Sequence, residues 1–120
     1  MPGSLLSKFV RKDSEGVDIE EFLNTLSTKR EEDVYANADA LVMPIDITGD
    51  ADAQQAIEEL QKGNLVLLNI RDLQARNPIK LRAAISKIKE AVSAFDGDVA
   101  RLTEDLVLVT PARVKIVKRR

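Results

Sequence analysis

The chain has 120 residues, enough for one small domain with an appended segment. Apolar residues make up 44% of it, and it has no Cys and no His, which excludes disulfides, thiol nucleophiles and zinc sites built on those ligands. Its net charge of -2 is unevenly spread, at +3 over residues 1–12, -7 over 13–39 and +2 over 40–120; a domain so near neutrality is a poor general nucleic-acid binder.

The first recognisable element is SLLSKFVRK, residues 4–12. On a helical wheel Leu5, Leu6, Phe9 and Val10 share one side, and Ser4, Ser7, Lys8, Arg11 and Lys12 take the rest. An apolar face flanked by cations suits a helix lying on an anionic membrane surface. The same residues also suit a terminus that docks on the domain or frays. No apolar run is long enough to span a bilayer or to serve as the core of an export signal. Four apolar side chains hold a membrane only weakly, and each nearby cation adds roughly 1 kcal/mol. Two such segments in a dimer gain by avidity.

Residues 13–38 read as an acidic flexible linker, with too few contiguous apolar residues to build a core. Within it IEEFLNTL, residues 19–26, sets Ile19, Phe22, Leu23 and Leu26 at i, i+3, i+4, i+7. That stretch is compatible with two helical turns or with a disordered tether.

Residues 39–120 carry the domain pattern. ALVMPIDI, residues 40–47, predicts a strand with Leu41, Met43 and Ile45 on one face, and Pro44 assigns it to an edge or a bulge. Asp50 is placed to cap a helix running to about Lys62, with Ala53, Ala56, Ile57 and Leu60 as its stripe and Gly63 as its stop. LVLLNI, residues 65–70, is nearly continuous in apolar residues, as in a central strand covered on both faces. RDLQAR then reads as a turn. Asn77 caps a second helix with Pro78 at its first position, and Leu81, Ala84, Ile85, Ile88, Val92 and Phe95 follow at helical spacing. Asp96 and Gly97 stop it. Residues 99–102 and 106–110 form a hairpin joined by TED, and VKIV, 114–117, offers an optional last edge strand guarded by Lys115 and Lys118. The expected fold is α/β: a β-α-β-α-β-β sheet with two helices on one side and right-handed crossovers.

Chemistry is signalled weakly. Without His or Cys no nucleophile–base pair forms, and no phosphate-binding glycine loop follows a strand. Asp50 with Asp52, and Asp96 with Asp98, suit a bound cation, but cap and turn roles explain them more simply. Arg71, Arg76, Lys80, Arg82, Lys87 and Lys89 gather around the second helix, either for phosphates or as a solvated surface. One Tyr and three Phe leave little for base stacking.

The ordered series DALVMPIDITGDADAQQAIEELQKGNLVLLNIRDL, then AFDGDVARLTEDLVLVTP, resembles the SepF family of cell-division proteins, in its archaeal branch. The likeness covers about residues 39–111. It implies an amphipathic membrane-targeting segment, a flexible linker and a dimeric α/β core that binds the C-terminal peptide of the tubulin-like protein FtsZ. Such a protein ties the division ring to the inner face of the cell membrane, with no catalysis and no cofactor. By position Leu5, Leu6, Phe9 and Val10, with Lys8, Arg11 and Lys12, match the membrane-binding face, and Gly97 matches a glycine turn tied to subunit contacts. Many bacterial members have two glycines where this chain has Asp96 and Gly97, which puts polymerisation of dimers in doubt. The peptide site is expected on the second helix and adjoining strand edges, with Arg76, Lys80 and Lys87 as its charged rim. Partners are then FtsZ, anionic lipid and a second copy of the chain. The rival readings from the residues are a small RNA-binding α/β module and a carboxylate-based hydrolase.

Overall fold

The computed structural model describes residues 17–26 and 32–119. Leu5, Leu6, Lys8, Phe9, Val10, Arg11 and Lys12 lie outside that range. The chain divides into two units between Asn37 and Ala38. In the first, Ile19, Phe22 and Leu23 of helix α1 (Val17–Asn24) and Leu26 just beyond it are exposed, and a short helix α2 spans Glu32–Ala36.

The second unit is a four-stranded mixed sheet with helices on one face. In chain order it runs β1 (Val42–Asp46), α3 (Asp50–Gln61), β2 (Leu65–Asn69), α4 (Arg71–Arg76), α5 (Pro78–Phe95), β3 (Asp98–Arg101) and β4 (Leu106–Thr110). The strand order is β1-β2-β4-β3. The β1–β2 pair is parallel, and the β2–β4 and β3–β4 pairs are antiparallel. The expected count of two helices becomes three, because RDLQAR coils into α4 rather than turning. Asn69 Oδ1 accepts from the Arg71 N–H, Leu73 is fully buried, and Arg76 pairs with Asp72 one turn back at 3.0 Å. VKIV forms no strand; residues 114–117 run as irregular chain, with the Val114 N–H on the Pro111 carbonyl and the Ile116 N–H on the Asp98 carboxylate.

The helix ends differ in mechanism. Asp50 does not cap α3; Gly49 is the cap residue, and Asp52 reaches back to accept from the Thr48 N–H and hydroxyl at 2.9 and 2.7 Å. These bonds hold the Asp52 carboxyl below its ordinary range, the Thr48 hydroxyl contributing most. Asn77 does cap α5, accepting from the Lys80 N–H at 3.1 Å, with Pro78 in the first turn. At its other end Asp96 takes the left-handed conformation (φ 65°). Gly97 is therefore required for space rather than for its own φ: a Cβ there would overlap the Thr110 carbonyl oxygen and press on Val92 and Phe95.

The core lies between α3, α5 and one sheet face. Ile45, Val66, Leu68, Val107 and Val109 meet Ala53, Ala56, Ile57, Leu60, Leu81, Ala84, Ile88 and Val92. Strand alternation sends Val42, Pro44, Leu65, Leu67, Ala100, Leu106 and Leu108 to the opposite face, where this unit supplies no helix. Val42 is 60% exposed and the leucines there are half-buried. The edge strands are β1 and β3. On β1, the Leu65 N–H bonds the Leu41 carbonyl and the Ile47 N–H bonds the Asn69 carbonyl, so the missing N–H of Pro44 faces the outer edge.

After β4 the chain doubles back as a strap over the start of β3. Arg113 adopts a left-handed φ of 66° and donates its N–H to the Asp96 carbonyl. Lys115 Nζ reaches Asp96 at 2.8 Å and the Gly97 carbonyl at 3.1 Å. Asp98 is the clasp, accepting from the Val99 and Ile116 N–H groups, each at 2.9 Å, and from Lys118 Nζ at 3.1 Å. The Ile116 N–H, then Lys118 and the Val99 N–H, lower its carboxyl to about 2.

Two outcomes follow. Gly97→Ala is expected to destabilise the core by about 1–3 kcal/mol, since backbone cannot yield like a flexible side chain; urea unfolding measures it, and an unchanged midpoint would refute the close approach. The Asp98 clasp contributes in full above the carboxyl's ordinary 3.8 and is lost as pH falls through about 2. The Ile116 amide NMR shift should therefore titrate near pH 2, and Asp98→Asn should abolish that step; a midpoint at the ordinary value would mean the clasp does not hold in solution.

Candidate functional site

Helix α5 divides the polar and apolar candidates between its two flanks. Arg76, Lys80 and Lys87, the rim expected from sequence, do come together, on the flank that faces α3. Arg76 Nη2 lies 3.5 Å from the Thr48 carbonyl, Lys80 Nζ lies over Gly49, and Lys87 Nζ pairs with Asp50 at 3.4 Å. All three thus converge on the β1–α3 loop. Asp72 and Asp50 already offset two of the charges, and the pairs are largely exposed, so each is worth little on its own.

The apolar groove lies on the other flank, between α5 and the edge strand β3. It encloses about 350 Å³, and Ile70, Leu81, Ile85, Val99 and Val107 form its apolar lining. Sequence folds this way because Leu81 and Ile85 sit one turn apart on α5, while Val99 and Val107 share the helix-facing side of their strands. Two cations belong to it, Lys89 from α5 and Arg101 from the end of β3. The Arg101 guanidinium is fixed by the Thr103 and Glu104 carbonyls at 3.1 and 2.6 Å. The Lys89 side chain has no hydrogen bond or ion pair among the described residues. Lys89 belongs to the charge cluster that the sequence shows around the helix, but its place beside the trough, and Arg101's, follow only from the packing of β3 against α5.

A second, smaller cavity of about 250 Å³ continues past the first. It shares Lys89 and Val99 with the groove and adds Val92, Ser93, Gly97, Asp98 and Lys118. Its far side is the C-terminal strap. Gly97 is thus placed at the floor of this end, with contacts internal to its own fold.

The acidic pairs proposed as cation ligands serve locally. Asp50 pairs with Lys87 and Asp52 with Thr48, while Asp96 and Asp98 hold the strap. Among the described residues no group of three or more acids could hold a metal ion. None of the described helices is long and apolar enough to cross a membrane. The arrangement has what binding of a short segment needs: an apolar trough, a cationic rim and an open strand edge.

The family of "Cell division protein SepF" matches residues 42–116. That stretch contains the whole sheet, α3 to α5, both cavities up to Ile116 and the clasp. Among solved structures, a SepF-like protein from Archaeoglobus fulgidus is similar over 67% of this chain and 95% of its own, at 21% identity and a TM-score of 0.62. A SepF-like protein from Pyrococcus furiosus is 27% identical over 63% of this chain and 92% of its own, with a TM-score of 0.58. A cell division protein SepF from Methanobrevibacter smithii, solved in complex with FtsZ-CTD, is 21% identical over 66% of this chain and 99% of its own, with a TM-score of 0.59. No curated protein sequence matches significantly. With well over half of its length matched in one run, and the matched run coinciding with the folded unit, the chain belongs to the SepF family of cell-division proteins.

Proposed function

We propose that this protein is a cell-division adaptor that binds the C-terminal peptide of FtsZ and tethers the division ring to the inner face of the cell membrane. The carrying observation is the family match over the whole core, joined to the likeness with a SepF that was solved in complex with FtsZ-CTD. It acts by binding and uses no cofactor. The trough between α5 and β3 supports a peptide site, because an extended segment gains affinity from buried side chains and orientation from charges at the rim. Lys89 and Arg101 are the rim in contact; Arg76, Lys80 and Lys87 across the helix add a field that speeds encounter.

The homodimer part of the reading rests on the uncovered sheet face. A β-sheet apolar on both sides needs two covering layers, and this unit supplies one. A second copy, meeting the first around Leu67 and Leu108, supplies the other and excludes water from both. Gly97 then supports such a contact by keeping the end of β4 in place. The membrane part rests on Leu5, Leu6, Phe9 and Val10 with Lys8, Arg11 and Lys12, doubled in a dimer, with residues 13–38 as the leash.

Lys89→Glu is expected to weaken FtsZ-peptide binding about tenfold in a calorimetric titration. Reversing Arg76, Lys80 and Lys87 together should act less, and fade as salt rises. The opposite ranking would move the peptide to the α3 flank. Leu108→Lys should leave the fold intact but give a monomer by light scattering, whereas a persistent dimer would discard the sheet-face contact. Liposome co-sedimentation with FtsZ tests the whole reading: the chain lacking residues 1–12 should lose lipid recruitment, and equal recruitment by both forms would refute the anchor.

A further inference from the structure

The edge of β3 is only partly open, and the pattern of its backbone groups is specific. The Leu102 N–H bonds the Leu106 carbonyl, so Asp98 and Ala100 also turn their backbone groups toward β4. The Ile70 N–H on the Asp105 carbonyl fixes the same alternation from the β2 side. Val99 and Arg101 therefore turn theirs outward. The outward N–H of Val99 is already taken by Asp98 Oδ1, and Asp98 Oδ2 takes the Ile116 N–H of the strap. The Val99 carbonyl and the Arg101 N–H have no partner among the described residues. Together they form one acceptor and one donor beside the apolar trough, the set that an added strand uses. Toward Asp98 the same edge is shut by Ile116 and by Lys118, which lines the cavity beyond Val99.

We propose that the bound peptide adds to β3 as a short extra strand, and that the strap clasped to Asp98 is the stop that ends it. This inference rests on the reading of the trough as the peptide site. The ligand class is an extended segment whose alternate apolar side chains enter the trough over Leu81, Ile85 and Val107. An acidic group on that segment meets Lys89 or Arg101. Because the stop is held by a carboxylate with three donors rather than by a sheet ladder, its removal lengthens the usable edge without dismantling β3 itself.

The test uses the full chain with synthetic FtsZ C-terminal peptides, one just long enough for the trough and others extended by several native residues at either end. Amide hydrogen exchange is read with and without the short peptide. The Arg101 N–H should become protected while the Val99 N–H, already bonded, stays unchanged. Binding without protection at Arg101 would overturn strand addition and leave the adaptor reading standing, whereas absence of any binding would overturn the peptide reading itself. For the stop, the wild-type chain should bind the short and extended peptides alike. Asp98→Ala should bind one of the extended peptides about fivefold tighter than the short one. A chain ending at Ala112 serves as the second variant if Asp98→Ala disturbs folding. An equal gain in wild type and variants, or no gain in either, would overturn the stop.

Discussion

The structure depends on one mismatch: strands that are apolar on both sides, and helices that cover one. Leu65, Val66, Leu67 and Leu68 give β2 two apolar faces, and β4 repeats the pattern with Leu106, Val107, Leu108 and Val109. Val66, Leu68, Val107 and Val109 are satisfied by α3 and α5. Leu65, Leu67, Leu106 and Leu108 are not, and removing such surface from water is the main favourable term open to a small domain. In the proposed dimer a second copy covers that surface. The proposed pairing of two copies is thus a continuation of folding rather than an event added to it.

The sequence was most legible where periodicity is long. The eighteen residues of α5 showed their stripe at once, and Asn77 with Pro78 marked its start because capping and a fixed φ are local properties. Of the two places Pro44 allowed β1, an edge or a bulge, the sheet order gives the edge. Helix α4 was not legible: six residues with a single buried side chain, Leu73, present no repeat. VKIV alternates like a strand, yet its partner is the Asp98 carboxylate eighteen residues earlier, and no local pattern reports a clasp of that kind. The LVLLNI run was read as covered on both faces, and the helices of its own unit cover one, with Leu65 and Leu67 half-buried on the other.

Electrostatics and burial are separated across α5. The cations that cluster in sequence, Arg76, Lys80 and Lys87, surround a loop that also carries Asp50, so their visibility reflects a solvated helix flank. Lys89 and Arg101 sit beside apolar surface, where a charge is less screened and an incoming carboxylate is held more firmly. Nearness in sequence finds Lys89 along with the first group, and only the packing of β3 against α5 sets it beside Arg101 and the trough.

Pro44 gives the sheet a direction of growth. Its absent N–H blunts the outer edge of β1, while β3 at the opposite end keeps a donor and an acceptor beside the strap. Stacking of cores edge to edge would have to use a β1 edge that lacks its central donor, so the two ends of the sheet are unequal partners for an added strand.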